Sequence, residues 1–238
     1  MSYKQEWNRV DYASGALRIG DFFFGGNMFA QLKEDIACFK AHDPAARSAL
    51  EILLLYPGLK AIRMHRRAYW FWNHGMPFIA RWISQKCSRR TGIEIHPAVK
   101  IGKRFCIDHG TGIVIGETTE IGDDVMLYQG VTLGGTGKDT GKRHPTICNN
   151  VMIGAGARVL GPVVIGNNTR IGSGAVVLEN IPENCTAVGV PAKVVKSDGV
   201  RVDDLDQIHI TDPVQQEINR LEDEINKLKK IVEEEKKP

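Results

Sequence analysis

The segment from Ile147 to Val177, ICNNVMIGAGARVLGPVVIGNNTRIGSGAVV, carries an aliphatic residue at every sixth position. The same spacing occurs upstream, first from Ile95 and then, two residues out of step, from Ile115 to Leu133. A helix repeats every ~3.6 residues and a half-buried strand every ~2, so neither alone explains this period. Hexapeptide repeats do. We therefore predict a three-sided parallel β-helix.

In such a β-helix, three six-residue edges form one coil, and the sixth residues point inward. A single coil cannot bury its own apolar row. Stacked coils turn the rows into a continuous core, and each edge pairs with the edge of the next coil. Glycine follows several of the aliphatic residues, as in Ile101-Gly102 and Ile165-Gly166, and suits the backbone at the corners.

Composition excludes several classes of protein. The chain has 238 residues, 42% of them hydrophobic, and a net charge of +3, which is too balanced to indicate nucleic-acid binding. No apolar stretch approaches the ~20 residues that span a bilayer, and no cleavable signal is recognised, so we expect a cytoplasmic protein without a membrane partner. The cysteines are odd in number and lack CxxC spacing, which favours free buried thiols over disulfides or zinc; they are Cys38, Cys87, Cys106, Cys148 and Cys185.

The predicted fold class is α+β, an N-terminal helical domain followed by a left-handed parallel β-helix and a C-terminal helix. We assign residues 1–27 to an extension or leader, 28–91 to the helical domain, 92–195 to the β-helix and 196–238 to a tail. Helical periods cover about 28–42, 45–56, 59–73 and 77–90. Their aromatic residues favour helix packing over a membrane-surface helix, because basic residues are interleaved with them.

The tail carries a second helical pattern. Asp212 and Pro213 suit a helix start, and a short coiled-coil seam follows. This helix either forms a coiled coil with neighbouring chains or packs back on its own subunit. The seam residues are Ile218, Leu221, Ile225, Leu228 and Val232.

Residues 134–145 interrupt the repeat with more chain than one edge requires. A loop that leaves a rigid solenoid is a usual place for function. Its glycines do not form a P-loop, because the Walker pattern is missing and no helix follows.

Several reactive side chains fall in this part of the repeat. Glu94, Asp108, His109, Arg143 and His144 supply two possible bases, carboxylates to orient them and a cation. Each also has an ordinary interpretation as a surface or loop residue, but together they favour a functional site.

Specific motifs carry a family resemblance. The chain resembles serine O-acetyltransferases over about residues 28–195, including the helical domain. The motifs are Asp43-Pro44-Ala45, Gly92-Ile93-Glu94-Ile95-His96-Pro97, Ile107-Asp108-His109-Gly110-Thr111-Gly112, Gly130-Val131-Thr132-Leu133-Gly134-Gly135-Thr136, Lys142-Arg143-His144-Pro145 and Gly189-Val190-Pro191-Ala192.

The resemblance implies transfer of an acetyl group from acetyl-CoA to the hydroxyl of L-serine, for cysteine synthesis. A serine hydroxyl needs a base within hydrogen-bond reach. His109 is the candidate base, and Glu94 stands where the family carries an acidic partner, often Asp. His144 is a further catalytic candidate.

The resemblance also implies how the substrates bind. Asp43, next to Pro44, and Asp108 would meet the amino group of serine, and Arg143 and His144 its carboxylate. For acetyl-CoA, the candidates are the N–H groups near Gly135 and Thr136, the small residue Ala155, and the cations Arg170 and Lys193. No metal is expected in the reaction.

We further expect a homotrimer with each site between adjacent prisms, although longer family members form hexamers. Feedback inhibition by L-cysteine is expected, because a thiol can occupy the place of the acceptor hydroxyl. A complex with O-acetylserine sulfhydrylase is doubtful, since members bind it through a C-terminal isoleucine and this sequence ends in Pro238. The alternatives are acetylation of homoserine or a sugar, and a non-catalytic scaffold.

Overall fold

The structure is a computed structural model, and it describes residues 26–137, 140–197, 220–221 and 225–226. The predicted N-terminal extension, apart from residues 26 and 27, and most of the predicted C-terminal seam lie outside the described residues. Within that seam, Leu221 and Ile225 are helical and exposed.

In the part of the chain that the structure describes, four helices precede the repeat: α1 (Gly26–His42), α2 (Ala49–Leu55), α3 (Pro57–Asn73) and α4 (Pro77–Thr91). The hydroxyl of Ser48 caps α2 by accepting the Glu51 N–H. Pro57 and Pro77 each open a helix, where a missing N–H costs nothing. Gly92 ends α4 in the left-handed conformation, with a φ of 70°.

The observed helix limits differ from the predicted ones at two places. Residues 45–48 are not helical: residues 44 and 45 form a turn, in which Asp43 Oδ1 accepts the Ala45 N–H at 2.7 Å, and 46–48 are irregular. Pro57 and Gly58 were expected between helices and instead form the first turn of α3.

The predicted β-helix follows, with about five coils and three sheets whose strands are parallel except for β15. Sheet A contains β1, β4, β7, β10 and β13; sheet B contains β2, β5, β8 and β11; sheet C contains β3, β6, β9, β12, β14 and β15. The strands are β1 (Ile93–Ile95), β2 (Lys100–Ile101), β3 (Cys106–Ile107), β4 (Ile113–Ile115), β5 (Glu120–Ile121), β6 (Met126–Leu127), β7 (Thr132–Gly134), β8 (Thr146–Ile147), β9 (Met152–Ile153), β10 (Arg158–Leu160), β11 (Val164–Ile165), β12 (Arg170–Ile171), β13 (Val176–Val177), β14 (Cys185–Val188) and β15 (Lys193–Ser197).

The sixth residues form the core, as predicted. On sheet A, Ile95, Ile115, Leu133, Val159 and Val177 are in register and buried. The two-residue shift in the sequence corresponds to the longer turn of residues 108–112, and the interruption corresponds to a loop described at residues 135–137 and 140–145. The hexapeptide interpretation of the sequence is therefore confirmed.

The last strand departs from the repeat. After Val188 the chain turns back, and β15 pairs antiparallel with β14 as far as Ser197. No helix in the described residues is long and apolar enough to cross a membrane.

Specific polar contacts join the helices to one another and to the first coil. The carboxylate of Asp35, on α1, is 1% exposed and forms a two-pronged ion pair with Arg66 of α3. His65 Nε2 donates to the Val99 carbonyl at 3.1 Å, and the Ser84 hydroxyl donates to the Ile95 carbonyl at 2.6 Å. The helical part and the β-helix therefore share an interface, which positions the residues described next.

Candidate active site

The candidate residues divide between two corners of the prism. The A–B corner links sheet A to sheet B and comprises residues 96–99, 116–119, 135–137, 140–145 and 161–163. The C–A corner links sheet C to sheet A and comprises residues 108–112, 128–131, 154–157 and 172–175.

An open cleft of about 670 Å³ lies between the helices and the A–B corner. Glu94, Arg143 and His144 line it, so the structure brings these three predicted residues together. His109 is not among the lining residues. The remaining lining residues are Trp72, Pro77, Phe78, Arg81, His96, Val114, Ile115, Gly116 and Glu117.

Thr118 holds His144 in place across one coil. Its N–H donates to His144 Nδ1 at 3.2 Å, and its hydroxyl lies 2.9 Å from the same atom. The hydroxyl also accepts the N–H groups of Arg143 and His144, each at 3.1 Å. Because Nδ1 accepts, the neutral ring carries its hydrogen on Nε2. Burial, with Arg143 nearby, lowers the pKa of His144, which favours this neutral form.

Arg143 projects beside His144 into the cleft. Its guanidinium donates to Glu117 Oε2 at 2.7 Å, and about a third of each side chain is exposed. The pair is therefore accessible, and an incoming carboxylate can compete with Glu117 for the guanidinium.

The floor of the cleft is sheet A. Glu94 is the outward-facing residue of β1, in register with Val114 of β4. His96 closes the cleft beside the ring of Trp72, with ring centroids 5.1 Å apart. Burial and the charge of Arg81 lower the pKa of His96.

His109 lies at the C–A corner and is exposed. Its φ is 56°, in the left-handed region. The other non-glycine residues with positive φ in the described ranges all lie at the third corner, between sheets B and C; they are Arg104, Asp124, Asn150, Asn168 and Asn184. A backbone outlier outside that repeated corner is typical of a functional position.

Asp43 lies near the segment that carries Asp108 and His109. The Tyr56 hydroxyl donates to Asp43 Oδ2, and this bond raises the pKa of Tyr56 to about 12, with a smaller contribution from Asp108. The backbone of Gly58 packs on the carbonyl of Ile107, so the start of α3 adjoins the segment that carries Asp108. Asp43 and Asp108 are thereby brought into one neighbourhood, next to Pro44.

The candidates for binding acetyl-CoA lie at both corners and on sheet C. Gly135 and Thr136 follow β7 at the A–B corner, close to Arg143. Ala155 is at the C–A corner, two coils beyond His109. Arg170 and Lys193 lie on β12 and β15 of sheet C.

Sequence analysis missed several residues of this region. Thr118, Glu117 and Trp72 belong to none of the motifs, and only the stacking of coils brings the first two to Arg143 and His144. Tyr56 was seen only as the end of a helix. His96 was inside a quoted motif, and its position directly before Pro97 was the available signal.

Comparisons with known proteins agree with this fold. The family model "Bacterial transferase hexapeptide (six repeats)" matches residues 144–179. A serine acetyltransferase of Synechococcus elongatus is 50% identical over 206 residues, covering 87% of this chain and 84% of that protein. One from Bacillus licheniformis is 52% identical over 202 residues, covering 84% and 94%.

Solved structures agree as well. A serine acetyltransferase of Brucella abortus in complex with coenzyme A has a TM-score of 0.71 and 39% identity, covering 73% of this chain and 69% of that one. A serine acetyltransferase in complex with cysteine has a TM-score of 0.70 and 42% identity, covering 71% and 70%. Sequence, fold and length thus agree: the chain belongs to the serine acetyltransferase family, enzymes that transfer the acetyl group of acetyl-CoA to L-serine.

Proposed function

We propose that the active site forms between two adjacent subunits of a homotrimer, from the C–A corner of one prism and the A–B corner of the next. The supporting observation is the separation of the candidates. His109 and Arg143 are at opposite ends of sheet A, whose strands of two or three residues extend about 10 Å at most, at ~3.3 Å per residue. One serine cannot reach both within one subunit. A three-fold axis brings unlike corners of neighbouring prisms together.

In the proposed reaction, His109 accepts the proton of the serine hydroxyl as its oxygen attacks the thioester carbon. The tetrahedral intermediate then expels the thiolate of CoA, which takes the proton from the imidazolium. Glu94 is the proposed partner that orients the imidazole. It lies on β1, and His109 lies on the corner that leads into the neighbouring strand β4.

Both charged ends of serine have proposed partners. The carboxylates of Asp43 and Asp108 bind the ammonium group, with Pro44 shaping that end of the site. Arg143 supplies a planar fork for the carboxylate, and the neutral ring of His144 donates from Nε2. Recognition of both ends selects an α-amino acid.

Acetyl-CoA is proposed to lie along the same interface. The N–H groups of Gly135 and Thr136 face the thioester, where one good donor to the oxyanion is worth about 3 kcal/mol. Ala155 leaves room for the pantetheine arm, and Arg170 and Lys193 meet phosphates. The Brucella relative in complex with coenzyme A supports this assignment of the ligand class.

Regulation and location are also part of the proposal. L-cysteine is proposed to inhibit by occupying the serine subsite, and the relative in complex with cysteine supports this. We assign the enzyme to the cytoplasm, where free buried cysteines such as Cys87 and Cys148 persist as thiols.

Mixed trimers test the intersubunit site. His109→Ala removes the base and is expected to lower kcat by at least about 100-fold. Arg143→Ala removes the carboxylate fork on the opposite corner. When the two variant chains are co-expressed in equal amounts and assemble at random, about a quarter of the interfaces carry both native residues. We expect about that fraction of wild-type acetyl transfer.

Each variant expressed alone is the control. No recovery in mixed trimers whose composition is verified by native mass spectrometry would contradict an intersubunit site. Release of CoA is measured with L-serine, with homoserine and without acceptor. Equal turnover of serine and homoserine would contradict serine as the preferred acceptor, and turnover that does not depend on an acceptor would contradict acetyl transfer.

A further inference from the structure

Three metal-binding side chains meet where α1 packs on β3, outside the cleft. Cys38 and His42 are four residues apart on α1 and so share one face of it, and Cys106 begins β3. Their ligand atoms, the two Sγ atoms and a ring nitrogen of His42, all lie within 4.8 Å of one another. Both cysteines are buried, and His42 is partly exposed. The proposed acetyl transfer uses none of the three.

The spacing of these atoms is close to that of a tetrahedral site. Cys38 Sγ is 3.7 Å from His42 Nδ1. With metal–sulfur bonds of about 2.3 Å and metal–nitrogen bonds of about 2.0 Å, the corresponding edge of a zinc tetrahedron is about 3.5 Å, and two thiolates on zinc stand about 3.8 Å apart. The other ligand atoms lie within 4.8 Å of one another, so the S–S edge needs to contract by at most about 1 Å and the second S–N edge by at most about 1.3 Å.

We propose that Cys38, His42 and Cys106 bind one Zn²⁺ ion, which fastens α1 to the first coil of the β-helix. Thiolate and imidazole ligands select zinc over Mg²⁺ or Ca²⁺, which take oxygen ligands. Two thiolates cancel the charge of the ion, so the burial of the site does not leave a net charge inside the protein. The fourth position faces the partly exposed side of His42 and takes water.

The hydrogen bonds that these side chains make without a metal are compatible with zinc binding. The Cys38 thiol donates to the Arg104 carbonyl at 3.2 Å, and His42 Nδ1 donates to the Cys38 carbonyl at 2.8 Å. Zinc binding replaces the two thiol protons, and the hydrogen on His42 Nδ1 moves to Nε2, so that the Nδ1 lone pair is available to the ion.

The proposed metal site lies next to Asp43, a candidate for binding serine. Asp43 directly follows His42, so the ion also holds the end of α1 from which Asp43 projects. This part of the inference rests on the proposed role of Asp43; the metal site itself does not.

Cobalt substitution tests the site directly. The full-length protein is stripped of metal with a chelator, reduced with a phosphine and titrated with Co²⁺. We expect one Co²⁺ per chain, an intense sulfur-to-metal charge-transfer band and displacement of the band by Zn²⁺. Cys38→Ser, His42→Ala and Cys106→Ser are each expected to weaken Co²⁺ binding by more than about tenfold, the smallest loss typical of even an outer-shell change.

The matched control is Cys148→Ser, which removes a buried cysteine elsewhere and should leave the band and the stoichiometry unchanged. Circular dichroism checks that each variant is folded, and Zn²⁺ should raise the melting temperature of the wild type and of Cys148→Ser only. The proposal is overturned if the reduced wild type shows no charge-transfer band, or if the band survives in Cys38→Ser and Cys106→Ser. It is equally overturned if Cys38 and Cys106 form a disulfide in air while Zn²⁺ is in excess.

Discussion

Replacement of Gly116 by alanine should displace His144 from the cleft. A Cβ atom built on Gly116 would lie 2.0 Å from His144 Cδ2 and 2.1 Å from Nε2. Ordinary carbon contacts begin at about 3.5 Å, so the ring has to move by more than about 1 Å. It cannot do so and keep its bonds to Thr118, at 2.9 and 3.2 Å. Gly116 therefore has to be glycine for the imidazole to occupy this position.

The expected loss of activity follows from this displacement. A misplacement of about 1 Å in a binding group can cost about 100-fold in rate, which corresponds to about 2.7 kcal/mol of transition-state stabilisation. We expect kcat/KM for L-serine to fall by about that factor in Gly116→Ala, measured by release of CoA thiol at saturating acetyl-CoA. The Kd for CoA, measured by calorimetry, should stay unchanged, because the displaced ring is assigned to serine.

Gly134→Ala is the matched control. Gly134 ends the next strand of sheet A, and its added Cβ would meet two side-chain methyl groups, Leu160 Cδ2 at 3.0 Å and Thr132 Cγ2 at 3.3 Å. We expect a much smaller loss of kcat/KM there. A folded Gly116→Ala enzyme with wild-type kcat/KM for serine would refute the assignment of His144 to the serine carboxylate. Thermal melts of both variants separate this result from a general loss of stability.

Two further predictions concern buried polar residues of the helices. Burial lowers the pKa of His65 to about 4, below the 6.5 of an unperturbed histidine, so the unfolded state binds the proton more readily. The contribution of neutral His65 to the free energy of unfolding should be complete above pH 6.5. It should fall by about 2 kcal/mol by pH 5, at ~1.36 kcal/mol per pH unit. In urea titrations this loss should be absent from His65→Gln and present in the exposed control His74→Gln. Asp35→Asn leaves Arg66 without its buried partner and should lower the free energy of unfolding by about 3 kcal/mol, whereas Lys100→Ala, in an exposed ion pair, should cost less than about 1 kcal/mol. Equal losses in Asp35→Asn and Lys100→Ala would contradict the assigned role of burial.

The repeat itself could be predicted from sequence because its signal is local. Each inward position is marked by its own aliphatic side chain, so the period of six, the shift before Ile115 and the interruption after Leu133 are all visible along the chain. The helical limits were less accurate at residues 45–48, where one side-chain bond from Asp43 competes with the helix. The family motifs also led to Glu94, Arg143 and His144, which the structure brings to one cleft.

The sequence by itself thus determined the architecture and the types of side chain near the site, because apolar period and motif identity are properties of neighbouring residues. Only the tertiary structure decided which corner carries each side chain. Thr118 reaches His144 because stacked coils bring together residues 26 apart, and Cys38 meets Cys106 because α1 lies on β3. Such contacts depend on where each coil turns and on how the helices dock, and the chain carries no local mark of either.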